Sequence, residues 1–230
     1  MTRSKPPPSG ETRKIPNATV GRLITYLRLL DAQQDLGVAT VSSATLSRLA
    51  NVSAFQVRKD LAYFGSFGKR GAGYQVAPLR NELEGILGLS RPWNVAIVGM
   101  GRLGEALAHY PNLERYRFLL RALFDVDPDK IGQTVADLPV ESMDRIDHEV
   151  RDHRIDLALL TVPADAAQAA ADRVVAAGVA GILNFAPVIV TTPPQVQVEP
   201  VDFLAGLKRL SFHLQRPEGG AVADGEPRGT

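Results

Sequence analysis

A chain of 230 residues that is 45% apolar and 22% charged has the make-up of a folded globular protein, which excludes disordered, collagenous and disulfide-scaffold classes. With no cysteine it also excludes thiolate metal sites and cysteine nucleophiles, and any redox role must come from a bound cofactor. The 26 basic and 25 acidic residues nearly cancel, yet residues 1–92 carry 13 basic against 6 acidic side chains (+7) and residues 93–230 carry 13 against 19 (−6), so a basic front half suited to a polyanion precedes an acidic one.

No apolar leader and no stretch of about 18 apolar residues is present, so a soluble, cytoplasmic protein without a membrane partner is expected. Residues 1–14 and 217–230, rich in Pro, Gly and charge, read as flexible tails. From Pro16 to about Gln34, Val20, Leu23, Ile24, Leu27 and Leu30 follow helical spacing. Ser43 is positioned to cap a short helix, Ala44 to Ala50, that buries Leu46 and Leu49. After the turn Asn51-Val52, Ser53 caps a third helix, with Gln56 completing an S-x-x-Q capping box. This is helix-turn-helix spacing, and the third helix buries Val57 and Leu61 until Gly65 ends it. The second helix of such a pair lies in the major groove, where Gln and Arg bond base edges and Lys and Arg neutralise phosphate. Gln56, Arg58 and Lys59 are therefore candidate DNA contacts, against the alternative of a solvated charged face. The segment Gly65 to Tyr74 has four glycines around Lys69 and Arg70. It reads as a hairpin wing whose basic tip enters the minor groove, or more blandly as a flexible turn. A fourth helix through Leu79, Leu83, Ile86 and Leu87 closes this domain, and Gly88 to Pro92 marks its end.

Trp93 to Val98 is an apolar run, as a buried parallel strand requires, and leads directly into Gly99-Met100-Gly101-Arg102-Leu103-Gly104. In a G-x-G-x-x-G turn the glycines permit a tight bend, close approach to a pyrophosphate and close packing of helix on strand. A second strand, Phe118 to Phe124, ends in Asp125, placed where a ribose-binding acid is expected, with Asp127 as the alternative. An acid there favours NAD(H) over a 2′-phosphorylated nucleotide. Strands at Ile155 to Val162 and Gly181 to Phe185, with a helix from Asp165 to Ala177 between them, continue the alternation. Ligands lie beyond the carboxyl ends of such strands, so Thr161-Val162-Pro163 and Phe185-Ala186-Pro187 are candidate pocket walls. The last helix, Asp202 to Gln215, has an apolar face of Leu204, Leu207, Leu210 and Leu214 for a partner or for the chain's own core. The four histidines fall on helices with no orienting partner evident, and no metal or hydrolase motif is found, so neither catalytic nor metal-ligating residues are assigned. A dinucleotide site without catalytic machinery suggests sensing.

The sequence resembles the Rex family of redox-sensing transcriptional repressors from about Ile15 to His213. The resemblance is carried by Phe55-Gln56-Val57-Arg58-Lys59-Asp60-Leu61, Tyr63-Phe64-Gly65 with Gly68 to Gly71, the glycine loop, Phe124 to Asp127, Leu183-Asn184-Phe185-Ala186-Pro187 and Val201-Asp202-Phe203. It implies a non-enzymatic α/β protein: a winged-helix DNA-binding domain (15–90), a Rossmann domain with a doubly wound, mostly parallel sheet (91–201), and a dimerisation helix (202–216) swapped between subunits. It further implies a homodimer that binds inverted-repeat operator DNA and lets go when NADH replaces NAD⁺, thereby tuning genes of respiration and fermentation. NAD⁺ and NADH would act as effectors that are not turned over. By this resemblance Ser53 and Phe55 join the DNA-contacting residues, and Met100, Arg102, Leu103, Asn184 and Phe203 join the nucleotide site. Arg22 and Asp202 are implied as an interdomain switch. Met100 stands where other members carry Tyr or Asn, so no polar relay is expected there.

Overall fold

Pro16 stands at the N-cap of α1 (Asn17–Asp35), where its missing N–H costs nothing. The computed structural model describes residues 15–65 and 73–215, and the chain divides into two compact units between Arg91 and Pro92. In the first unit β1 (Thr40–Val41) precedes α2 (Ser43–Ala50) and α3 (Ala54–Ala62), and β2 (Tyr74–Gln75) leads into α4 (Val76–Ile86). Leu23, Tyr26, Leu27 and Leu30 of α1 pack with Leu46, Val57, Leu61, Leu79 and Leu83 in one apolar cluster. Ile24, expected inside, is about half exposed, and Tyr26 takes the buried place because its hydroxyl finds a carboxylate. Leu49 is likewise exposed. The cap of α2 is Ser42, not Ser43: its hydroxyl accepts from the Thr45 N–H at 2.9 Å. Helix α3 stops at Ala62, three residues before the glycine expected to end it. The strand holding Tyr74 pairs antiparallel with β1, Val41 facing Tyr74, so it is anchored to a strand from before the helix pair. Lys69 and Arg70, the expected wing tip, lie outside the described residues.

The second unit runs β3 (Trp93–Val98), α5 (Arg102–Ala108), α6 (Asn112–Arg115), β4 (Phe118–Asp125), β5 (Thr134–Val135), β6 (Leu138–Ser142), a 3₁₀ turn, α7 (Ile146–His153), β7 (Leu157–Leu160), α8 (Ala167–Ala176), β8 (Gly181–Asn184), β9 (Gln197–Pro200) and α9 (Phe203–Gln215). Six strands are parallel in the order β6-β4-β3-β7-β8-β9, with β5 antiparallel at one edge. In chain order that is 3-2-1-4-5-6, the doubly wound arrangement of a dinucleotide fold, which changes direction between β3 and β7. Side chains alternate along β3: Ala96 and Val98 join Phe124, Ile146, Ala171 and Val174 on one face, and Val95 and Ile97 join Met100, Leu123 and Leu159 on the other. Strands β5, β6 and β9 were not anticipated. They are short, and Pro139 and Pro200 break their apolar pattern. Between β8 and β9 the chain crosses without a helix, and an apolar cavity of about 410 Å³ lies against β3, β7, β8 and β9. Helix α9 has no buried residue, with Leu207, Leu210 and Leu214 all more than half exposed. No described helix is long and apolar enough to cross a membrane.

Candidate functional site

Gly99 ends β3 with φ +98°, a left-handed conformation that glycine adopts without strain. The Thr161 hydroxyl donates to its carbonyl oxygen at 2.6 Å, which ties the end of β7 to the start of the glycine loop. A Cβ on Gly104 would overlap that same carbonyl, whereas a Cβ on Gly101 would meet nothing and project into open space. The loop thus has one glycine for packing and another that leaves its backbone bare toward a cavity of about 610 Å³. Gly99, Gly101, Asp125, Asp127, Thr161, Val162 and Pro163, all expected at the site, line this cavity. Its volume and mostly apolar walls suit a small organic ligand, and the bare Gly101 backbone fits a pyrophosphate.

Asp125, at the end of β4, is buried, and both of its oxygens are fully engaged. Oδ1 accepts from the Val126 and Asp127 N–H groups at 2.8 and 2.9 Å; Oδ2 accepts from the Met100 N–H at 2.7 Å and from Lys130 Nζ at 3.2 Å. Burial pushes the Asp125 carboxyl upward, but the Asp127 and Met100 N–H groups and the Lys130 ammonium outweigh it and hold the group below the usual aspartate range. The hydrogen bond that Lys130 donates to Asp125 in turn raises Lys130. With about four lone-pair sites on a carboxylate all in use, Asp125 works as a clamp on the glycine loop. Asp127 is more exposed, and its remaining acceptor capacity opens on the cavity beside Lys130 at 3.5 Å.

Other expected contacts are placed elsewhere. The Met100 side chain is 1% exposed, in the core with Ile97 and Leu123; only its N–H serves the loop. Arg102 and Leu103 begin α5 and are exposed. Asn184 is buried and braces its own loop, accepting from Ala186 N–H and donating to the Val188 carbonyl, while Phe185 is partly buried against the sheet. Asn184 to Pro187 do not line the 610 Å³ cavity, and Phe203 is exposed on α9. Lys130 and Arg173 do line it and were missed. The D-x-x-K spacing from Asp127 to Lys130 was the one available sign of the first. Arg173, held by the Met143 carbonyl at 2.7 Å, belongs to no local motif.

In the first unit Ser53 caps α3 by accepting from Gln56 N–H at 3.0 Å, but the Gln56 side chain does not complete the box. It donates instead to Asp60. Phe55 is two-thirds exposed, Lys59 and Arg58 are exposed, and Arg58 reaches the Ser43 hydroxyl across the helix pair at 3.2 Å. Together Phe55 and Gln56 in the first turn of α3 and Arg58 and Lys59 further along it give an aromatic, an amide and two cations, a set able to meet base edges and phosphates. Arg22 is bound to Asp60 through Nε and Nη2 at 2.6 and 2.7 Å, and Asp202 caps α9 by accepting from Ala205 N–H.

Residues 14–62 match the family described as "Putative DNA-binding protein N-terminus", and residues 90–188 match the CoA binding domain family. The chain is 56% identical over 205 residues to the redox-sensing transcriptional repressor Rex of Thermus thermophilus, an alignment that spans 89% of this chain and 96% of that one. Among solved structures it is similar to RSP in complex with β-NAD⁺ and operator DNA, with a TM-score of 0.83, 37% identity, and coverage of 87% of this chain and 93% of that one. RSP in complex with β-NADH gives a TM-score of 0.81 at 35% identity, covering 89% and 96%.

Proposed function

The chain belongs to the Rex family of redox-sensing transcriptional repressors, and from that membership we propose that it is a regulator, not an enzyme, which reads operator DNA with α3 and takes NAD(H) as effector in the cavity beneath Gly99 and Gly101. The observation that carries this reading is the presence on one chain of an exposed cationic helix, α3, and a glycine-loop cavity lined by Asp127 and Lys130. Asp127 accepts from the adenosine ribose hydroxyls, Asp125 keeps the loop in shape, and the Phe185 loop flanks the nicotinamide end. The 34 Å repeat of half-sites in an inverted repeat calls for two recognition helices. The unpartnered apolar face of α9 and the apolar cavity on the sheet support a homodimer, with Phe203 and the rest of α9 contributed to the second subunit. A protein acting on operator DNA works in the cytoplasm. An Arg22–Asp202 switch pair would have to compete with Asp60, which already holds Arg22 through two hydrogen bonds.

The test is fluorescence anisotropy of a labelled inverted-repeat duplex at fixed salt, since phosphate contacts make affinity salt-dependent. Release by NADH but not by NAD⁺ is expected; tight binding indifferent to both nucleotides would overturn the effector assignment. The match to the CoA binding domain family favours one second reading, coenzyme A in the same cavity. Displacement of bound NADH by coenzyme A at comparable concentration would support it.

A further inference from the structure

Asp60 accepts four side-chain hydrogen bonds in the first unit, and the DNA-binding reading gives it no task. Its side chain is fully buried. Oδ1 accepts from Arg22 Nη2 and from Gln56 Nε2, both at 2.7 Å; Oδ2 accepts from Arg22 Nε at 2.6 Å and from the Tyr26 hydroxyl at 2.9 Å. Burial pushes this carboxyl upward, yet the hydrogen bonds from Arg22, Gln56 and Tyr26 hold it below the usual aspartate range. It is an ionised group, and an ionised carboxylate only accepts. The end of the Gln56 amide facing Asp60 is therefore the NH₂ group, and Oε1 points the other way. Oε1 has no protein partner among the described residues, and no buried side-chain oxygen or nitrogen among them lacks one, so Oε1 reaches solvent. Gln56 sits in the first turn of α3 beside exposed Phe55. In recognition helices this turn meets base edges. Arg22 balances the Asp60 charge, so the carboxylate turns no net negative field on phosphate.

Building on the DNA-binding reading, we propose that Asp60 is a positioning residue that holds the Gln56 amide carbonyl-outward, so that Gln56 recognises the exocyclic amine of an adenine or cytosine in the major groove. Without that anchor the amide would turn freely and offer its donor or acceptor end alike. With it, the position accepts from N6 of adenine or N4 of cytosine and rejects a carbonyl edge.

The full chain is titrated against operator duplexes in which single bases lose one group: purine for adenine and 2-pyrimidinone for cytosine remove the amine, and 2-aminopurine for guanine removes the O6 carbonyl. Each is measured with the unmodified protein and with Gln56→Met, as double-mutant cycles. At one position per half-site, loss of the amine should weaken binding about tenfold in the unmodified protein and less than about twofold in Gln56→Met. Which analogue shows the coupling tells adenine from cytosine. Coupling to the O6 carbonyl instead, or to no base, would overturn the proposal while leaving DNA binding in place; absence of binding to any duplex would remove both. Arg22→Met/Asp60→Leu, which removes the pair together and strands no charge, tests the positioning itself. The amine coupling should fall to within about twofold while affinity for scrambled duplex is unchanged. Persistence of the coupling in that variant would overturn the role of Asp60. If the variant does not fold, the Gln56→Met cycles still decide which end of the amide faces the DNA.

Discussion

Asp125 and Asp127 lie two residues apart and do different work, so their replacements should separate. Asp127→Ala is expected to erode the preference for NADH over NADPH about tenfold in a binding titration, because it removes the free acceptor and leaves Lys130 to welcome a phosphate. Asp125→Ala should weaken both nucleotides together, because Met100 N–H and Lys130 lose their shared acceptor. A selective loss from Asp125→Ala would return the ribose role to it. Gly104→Ala forces a methyl group onto the Gly99 carbonyl and should cost about 3 kcal/mol or more, read as a lowered denaturation midpoint. Asp60 and Asp125 are both held below the ordinary aspartate value of 3.8. Their folded values lie below their unfolded ones, so the stability they confer is complete above that pH and is lost as pH falls through the folded values. Thermal melts between neutral and acid pH should therefore stay level until about pH 4 and drop steeply beneath it.

Whole elements differed in how plainly they could be read. The run from Trp93 through Gly104 was legible because every requirement of the dinucleotide turn lies within twelve consecutive residues, and the distance from it to Asp125 is set by two short helices and one strand. Strands β5, β6 and β9 were not, since two to five residues, with a proline in β6 and another in β9, leave no period to detect. The recognition helix was half legible. Ser53 announced its start, but the partner of the Gln56 side chain depends on Arg22 and Tyr26, which lie 38 and 34 residues before Asp60 and meet it only after folding. For the same reason Ile24 was expected inside and Tyr26 was not. At this scale the expectation is that Arg58→Ala with Lys59→Ala lowers operator affinity at least tenfold and flattens its salt dependence, with NADH affinity unchanged by calorimetry. An equal loss of both affinities would count against separate sites.

For the whole molecule, the proposed homodimer would cover α9, which has no buried residue, and the apolar hollow left by the helix-free crossover to β9. Its melting temperature should rise with protein concentration, and Leu207→Glu with Leu210→Glu should abolish that rise and give a monomer in sedimentation. The clamp of Asp125 on Met100 N–H reaches further than the loop it holds. If NAD(H) binds here as proposed, its adenosine moiety is identical in the oxidised and reduced dinucleotides and meets the same loop in both, and a ligand feature gripped equally in two states shifts no equilibrium. The adenosine half therefore supplies affinity common to both forms. On that proposal, discrimination between a cation and a neutral ring falls to the nicotinamide end, which the Phe185 loop is proposed to flank.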